Sequence, residues 1–277
     1  MKDIRVAAVI CQAPLGRVGE NLDRTIRWIE KAKEKSARIV CFPEMNITGY
    51  GTHKDTIKIA IHLSNGITDQ LLESARINNI TILAGMAELG EEDRVFITHL
   101  VIDPRGRIGI YRKLHLSPPE QGIYTPGNKL PVFEIDNIRF GIQLCYDAHF
   151  PELSTIMALN GADIIFIPHA SPRKGPEEKY NSWMRHLPAR AYDNGLYVVA
   201  CNQAGDNENG LVFPGIALIV DPLGLIFEKY LTGKEGMIVS DLKAEKLAQV
   251  REHRMRYFLP NRRPELYDFI FKGSHKK

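Results

Sequence analysis

Three residues whose chemistry can combine to break an acyl bond each fall just past an apolar, strand-like run. Glu44 follows residues 38–42, Lys113 follows 107–112 and Cys145 follows 138–144. A thiol attacks a carbonyl once a base takes its proton, a carboxylate can be that base, and a lysine can hold the resulting negative oxygen. The context of Cys145 is the most informative. In residues 138–153 (IRFGIQLCYDAHFPEL), Ile138, Phe140, Ile142 and Leu144 alternate with Arg139, Gly141, Gln143 and Cys145, which predicts a strand with one apolar face. Pro151-Glu152 then predicts a helix start, since proline suits the first helical position and a carboxylate suits the positive helix end. A cysteine between the two stands on a sharp turn beside backbone N–H groups that the sheet leaves free. That environment is expected to favour the thiolate and to receive an oxyanion.

Taken singly, each residue has an ordinary reading. Cysteine is a common core residue. Pro-Glu recurs at Glu120, Glu152, Glu177 and Glu265, so Pro43-Glu44 alone reads as a loop or a helix start. Lys113 beside Arg112 reads as a surface pair.

The elements that must position these residues follow from periodicity. Residues 5–12 (RVAAVICQ) read as a buried strand, and 21–37 as an amphipathic helix with Leu22, Ile26, Ile29, Ala32 and Ala37 on one side. Strand 38–42 leads to Glu44. The stretch 45–65 shows only a loop at Gly49-Tyr50-Gly51 and a short helix, before a helix over 68–78 and a strand over 80–87. Residues 96–102 and 107–112 form a hairpin around Asp103-Pro104-Arg105-Gly106; 131–135 and 138–144 form another with Asp136-Asn137 at its tip. Beyond Cys145 the spacing predicts a helix to about 160, a strand over 164–168, a polar loop over 169–176, and one helix through about 194 that Gly195 stops. Strands over 197–202, 213–220, 225–229 and 237–241, a helix over 243–251 and a docked extension at 262–267 complete the chain. Early alternation of strands and helices, interrupted by hairpins, predicts mixed sheets with helices over their outer faces. No linker divides the chain, so one α/β domain over residues 1–277 is expected.

Composition narrows the function classes. The 277 residues are 44% hydrophobic and 25% charged with no low-complexity tract, which is the profile of a globular chain with a substantial core. A net charge of +3, with Lys and Arg scattered rather than striped, argues against nucleic acid. The basic end, 272–277, reads as solvated. No apolar run reaches membrane-spanning length and the N-terminus enters a strand directly, so neither a membrane anchor nor a signal peptide is expected. Cys11, Cys41, Cys145 and Cys201 form no C-x-x-C pair, which suits a reducing cytoplasm; Cys11, Cys41 and Cys201 read as packing.

Considered together, the three candidates lie in ordered motifs: FPEMNITGY around Glu44, YRKLHL around Lys113 and GIQLCYDAHFPE around Cys145. These resemble the nitrilase superfamily of carbon–nitrogen hydrolases, which carries a Glu-Lys-Cys triad on three separated motifs. EQGIYTPG places Glu120 where that family has a further active-site glutamate, and LPARAYDNGLYVVACNQAG and RRPELY extend the likeness over essentially the whole chain. The resemblance implies an α-β-β-α sandwich and pairing through helical faces into a dimer or higher homo-oligomer, with residues from about 255 to 277 docked at the subunit interface. It also implies hydrolysis without a metal or cofactor. In that scheme Glu44 is the base and Cys145 the nucleophile, Lys113 and the Tyr146 N–H hold the oxyanion, and Glu120 positions Lys113 or the water.

Family members that hydrolyse nitriles typically have Trp-Glu after the nucleophile; Tyr146-Asp147 here favours an amidase or N-carbamoyl hydrolase acting on a small linear amide or ureido compound. N-carbamoyl-amino-acid hydrolases place two arginines where Ala148 and His149 stand, and omega-amidase-like members one at the His149 position. A histidine cannot reproduce that bidentate grip on a carboxylate, although Arg173 could reach inward. Tyr50, Tyr146, His149, His169 and Trp183 are the substrate-binding candidates. Rival readings are a nitrilase, a Cys–His enzyme using His169 or His149, a metal hydrolase using His149, His169 and Asp147, and a non-catalytic binding protein on the same fold.

Overall fold

Along the first strand, β1 (Ile4–Ile10), Val6, Ala8 and Ile10 enter one apolar cluster while Ala7 and Val9 enter another. Successive strand side chains point to opposite faces, so a strand that is apolar on both must be covered on both. The computed structural model, which describes residues 1–64 and 66–267, supplies a second sheet on one side and helices on the other.

After β1 come α1 (Val18–Glu34), β2 (Ile39–Cys41), α2 (Gly66–Asn78), β3 (Thr81–Leu89), β4 (Val95–Ile102) and β5 (Ile108–Arg112). The middle of the chain forms β6 (Phe133–Ile135), β7 (Ile138–Ile142), α3 (Pro151–Leu159), β8 (Ile164–His169), α4 (Pro176–Met184), α5 (Leu187–Asn194) and β9 (Tyr197–Asn202). Then follow β10 (Ala204–Asp206), β11 (Val212–Pro214), β12 (Ala217–Val220), β13 (Ile226–Tyr230), β14 (Gly236–Leu242) and α6 (Ala244–Arg251). Two six-stranded mixed sheets result, ordered β14-β1-β2-β3-β4-β5 and β13-β12-β9-β8-β7-β6, with β10 and β11 a separate ribbon. Each has a parallel centre, β1-β2-β3 in one and β7-β8-β9 in the other, extended by antiparallel neighbours.

Leu22, Ile29 and Ala32 of α1 and Leu71 and Ala75 of α2 cover the outer face of the first sheet. On the second sheet, α3 packs so closely that a Cβ on Gly141 would stand 2.3 Å from the Met157 sulfur, and Gln143 donates to Ser154 Oγ at 2.9 Å. The inner faces meet through Val6, Ala8, Ile10, Phe140, Ile142 and Val199 among others. The layers therefore run α-β-β-α. Two antiparallel steps, β3 to β4 and β4 to β5, restore the direction of β2, so Glu44 and Lys113 both follow strands that leave the sheet the same way. Cys145 follows β7 in the other sheet, and β8 runs parallel to β7.

Several boundaries differ from the periodicity. One helix through residue 194 becomes α4 and α5, because Pro188 has no N–H to give Met184 and its ring crowds that carbonyl. The strand over 213–220 is broken at Gly215, which has φ +60° and lies against the backbone of Gly233. The stretch after Met45 contains a 3-10 helix, Lys54–Ile59, and Cys145 opens a 3-10 turn, Cys145–His149, before α3. The expected extension forms two short 3-10 turns, Leu259–Asn261 and Pro264–Leu266; its last part, including the basic end at 272–277, lies outside the described residues. Among the described residues no helix is long and apolar enough to cross a membrane.

The loop bearing Glu44 is pinned to β3 at Gly85, whose N–H donates to Asn46 Oδ1 at 2.8 Å and whose carbonyl accepts from Ile47 N at 2.9 Å. A Cβ here would stand 2.5 Å from Met45 N and 2.8 Å from His99 Nδ1. Gly85→Ala should therefore reduce unfolding free energy by about 1–3 kcal/mol in urea titration. A variant as stable as the parent would show that this loop has room to retreat.

Candidate active site

Where the sheet ends meet, Lys113 lies between two carboxylates. Its Nζ donates to Glu44 Oε1 at 2.9 Å and to Glu120 Oε1 at 2.7 Å, with the Lys113 and Glu44 side chains fully buried and that of Glu120 nearly so. Strand alternation explains why it is not a surface partner of Arg112: the Arg112 side chain goes the other way, to Glu88 and over the Phe96 ring. Lys113 instead continues the ladder, its N–H bonding to the Ile97 carbonyl at 2.9 Å.

Each carboxylate has further fixed donors. Glu44 Oε2 accepts from the Ala170 N–H at 2.9 Å, just beyond β8, so this bond joins the two sheets. The Glu44 carbonyl accepts from Gln203 Nε2 at 2.8 Å. Glu120 closes a 3-10 turn begun at Ser117, accepts the Ser117 N–H on Oε2 at 2.7 Å, and receives the Tyr50 hydroxyl on Oε1 at 2.9 Å. Burial raises the Glu44 pKa, Lys113 opposes the rise and Glu120 adds to it, leaving it at about 7. Burial alone would depress Lys113, but Glu44 and Glu120 together hold it above the ordinary lysine value and charged.

Cys145 adopts φ +45°, a left-handed conformation that a residue with a Cβ enters at a cost. The turn is held from two sides. Asp147, fully buried, accepts from Leu144 N at 3.1 Å, Tyr111 Oη at 2.7 Å and His115 N at 2.8 Å. Tyr111 and His115 flank Lys113, so one carboxylate ties the lysine segment to the cysteine turn. From the other side, Arg190 donates to the carbonyls of Ala148 at 2.9 Å and His149 at 3.2 Å. The Tyr146 N–H lies in the first turn of the 3-10 helix, where backbone donors lack intrahelical partners.

The expectation of a resting thiolate is corrected. Burial, followed by the Glu44 charge, pushes the Cys145 thiol up to about 12, with Lys113 and Lys179 opposing the rise without cancelling it. Local amides are outweighed because the sulfur is largely desolvated and faces the Glu44 carboxylate.

Cys145 opens into a cavity of about 700 Å³ whose walls include Tyr50, Glu120, Tyr146, His149 and His169. Arg173 also lines it, but its Nε lies 3.7 Å from Glu178. Trp183 does not; fully buried, it stands behind the wall and donates its indole N–H to His169 Nε2 at 3.1 Å. His169 Nδ1 lies 2.8 Å from the Ile167 carbonyl, so both ring nitrogens are engaged and neither is free to act on Cys145. Asp147 is likewise committed to its donors, and among the described residues no three metal-ligating side chains converge. Lys179, on α4, lines the same cavity and is not among the sequence candidates. Its signal is the four-residue spacing to the buried Trp183, which places it on the inward face of a helix whose Glu177 and Glu178 face out.

With the thiol held high, ultraviolet titration of the protein against Cys145→Ala should reveal no Cys145 thiolate where a free cysteine ionises, about pH 8.5. Thiolate absorbance at neutral pH would contradict this desolvated setting of the sulfur beside Glu44.

The carbon–nitrogen hydrolase family model matches residues 5–252. A nitrilase of Pyrococcus abyssi is 30% identical over 268 residues, covering 95% of this chain and 99% of that one. An omega-amidase of Xenopus tropicalis is 30% identical over 270 residues and covers 93% of each chain. Among solved structures, a cysteine-to-alanine mutant of the amidase from Nesterenkonia sp. AN1, in complex with butyramide, superposes with a TM-score of 0.83 at 25% identity, over 96% of each chain. The family match spans most of the sequence and the neighbouring fold nearly all of it: the chain belongs to the carbon–nitrogen hydrolase family, in the amidase-like branch of the nitrilase superfamily.

Proposed function

We propose that the protein hydrolyses the C–N bond of a small linear amide or N-carbamoyl compound through a thioester on Cys145. The observation that carries this reading is Lys113, held between Glu44 and Glu120, where Glu120 lines the cavity into which Cys145 opens. Glu44 takes the Cys145 proton as sulfur bonds to the carbonyl carbon, so no free thiolate is required beforehand. Lys113 and the Tyr146 N–H stabilise the oxyanion. Glu44 returns the proton to the leaving ammonia or amine as the C–N bond breaks, then deprotonates the water that opens the thioester and passes that proton to the released Cys145 sulfur. Glu120 fixes the Lys113 ammonium. Tyr50, bonded to Glu120, together with Tyr146, His149 and His169 forms the substrate wall; Trp183 acts through His169. The omega-amidase name of one relative and the butyramide bound by a solved neighbour favour an amide over a nitrile.

The same reading includes one functional domain and a homodimer or higher oligomer joined through helical faces. Exposed Ile156 and Leu159 on α3 and Tyr192 on α5 support that surface, and sedimentation equilibrium at a mass of one chain would rule it out. Four unpaired cysteines favour a reducing cytoplasm, which cell fractionation reads.

Ammonia release from a panel of amides, N-carbamoyl amines, N-carbamoyl amino acids and nitriles tests the reaction. Amide or ureido turnover is expected, lost in Cys145→Ala and reduced about 10²–10⁴-fold in kcat by Glu44→Gln. Since the Glu44 pKa is raised, its base form is present above about pH 7, and kcat/KM should fall as pH drops through that value. Turnover of nitriles alone would overturn the branch, and turnover by Cys145→Ala would overturn the nucleophile.

A further inference from the structure

Most buried ions of this fold have a charged or hydrogen-bonding partner. Lys113 has two carboxylates, Asp103 and Glu88 hold arginines, Asp221 meets Lys246, and Arg190 serves two carbonyls. Lys179 differs. It is 4% exposed, and among the described residues no hydrogen bond or ion pair reaches its Nζ, which lies 5.5 Å from the centroid of the Trp183 ring. An indole face attracts a cation but accepts no hydrogen bond along its N–H directions, so the Nζ keeps its donors for whatever occupies the cavity it lines.

We propose that Lys179 is the anion-binding side chain of the cavity, so that the amide cleaved at Cys145 carries a carboxylate at its other end. The inference rests on the hydrolase reading for the amide, but not for the anion subsite.

The charge inventory of the cavity supports an anionic guest. Arg173, Lys179, Arg185 and Arg190 line it, whereas its one lining carboxylate, Glu120, is already bonded to Lys113. Low-dielectric walls bearing one sign of charge concentrate the field on a ligand of the other sign. Arg173 is turned toward Glu178, Arg190 is anchored to backbone carbonyls and Arg185 is exposed, so Lys179 is the buried cation of the wall whose charged group has no hydrogen-bond or ion-pair partner among the described residues. Burial lowers its pKa to about 8, with Arg173 assisting and the Glu44 carboxylate resisting, so the ammonium persists at neutral pH. His149 and His186 lie nearby with tilted rings whose centroids are 4.5 Å apart, and burial holds both below the ordinary histidine value. They shape the wall without rivalling Lys179 in charge. The missing arginine fork after Cys145 thus does not exclude a carboxylate, because a cation arrives from α4 instead.

A competing role is electrostatic support of the reacting centre, which would affect charged and neutral amides alike. Matched substrates separate the two: succinamate, which carries a carboxylate, and the neutral butyramide. The parent enzyme should favour succinamate in kcat/KM. Lys179→Met should reduce that preference about 10–100-fold, the worth of a charge-assisted hydrogen bond, while Lys179→Arg should retain most of it. Calorimetry in a Cys145→Ala background should likewise show succinamate affinity that falls with Lys179→Met. No preference in the parent, or equal losses on both amides, would overturn the anion site even if hydrolysis stands. Succinamate binding that depends on Lys179, without turnover of any amide, would uphold the anion site while the hydrolase reading fails.

Discussion

An ammonium and two carboxylates buried together depend on geometry more than on packing. Three ions removed from water are compensated only when charged and hydrogen-bonding partners are held in place around them. Around Lys113 that condition is met by donors from both sheets: Ala170 beyond β8, Ser117 and Tyr50 from loops, and the lysine itself at the end of β5. The four-layer sandwich brings those segments to one place. Parallel centres in both sheets send their strand ends the same way, and the hairpin steps through β4 return β5 to that direction. Much of the fold can thus be understood as the frame that keeps this ion cluster satisfied.

The arrangement leaves its reactive groups poised rather than discharged. Glu44 stays near neutrality in pKa because burial and Glu120 act against Lys113, and the same enclosure keeps the Cys145 thiol protonated. In the proposed mechanism, chemistry then begins when a substrate carbonyl reaches the sulfur and the thiol proton passes to Glu44 as the C–S bond forms. The strained φ of Cys145 is sustained by Asp147 and Arg190, which hold the turn through backbone groups on both sides. Asp147 couples the turn to the lysine segment, so a displacement of either would be felt by the other.

Much of this is legible in the sequence because strand ends carry strong signals. Period-2 alternation in β7 and the Pro151 helix start locate Cys145, and the hairpin turn at residues 103–106 locates Lys113. Order and motif then join residues that are distant along the chain. What stays hidden depends on three-dimensional closure. Asp147 reads as a mark of branch, since nothing local reveals that its oxygens reach Tyr111 and His115. Lys179 sits among Glu177, Glu178 and Tyr180 and reads as a solvated helix residue until Trp183, four positions on, proves buried. The thiol follows the same rule: its turn suggests ionisation, but pKa depends on everything that excludes water, including carboxylates from the other sheet. Trp183 misleads in the opposite sense, an aromatic near the site that supports His169 from behind.

The account turns on a covalent acyl intermediate at Cys145, and mass spectrometry of acid-quenched turnover mixtures tests it most directly. During steady-state hydrolysis of an amide, the peptide containing Cys145 should gain the mass of the acyl group and lose it on treatment with hydroxylamine, as a thioester does. Sustained turnover with that peptide unmodified, or an adduct confined to another residue, would contradict the account.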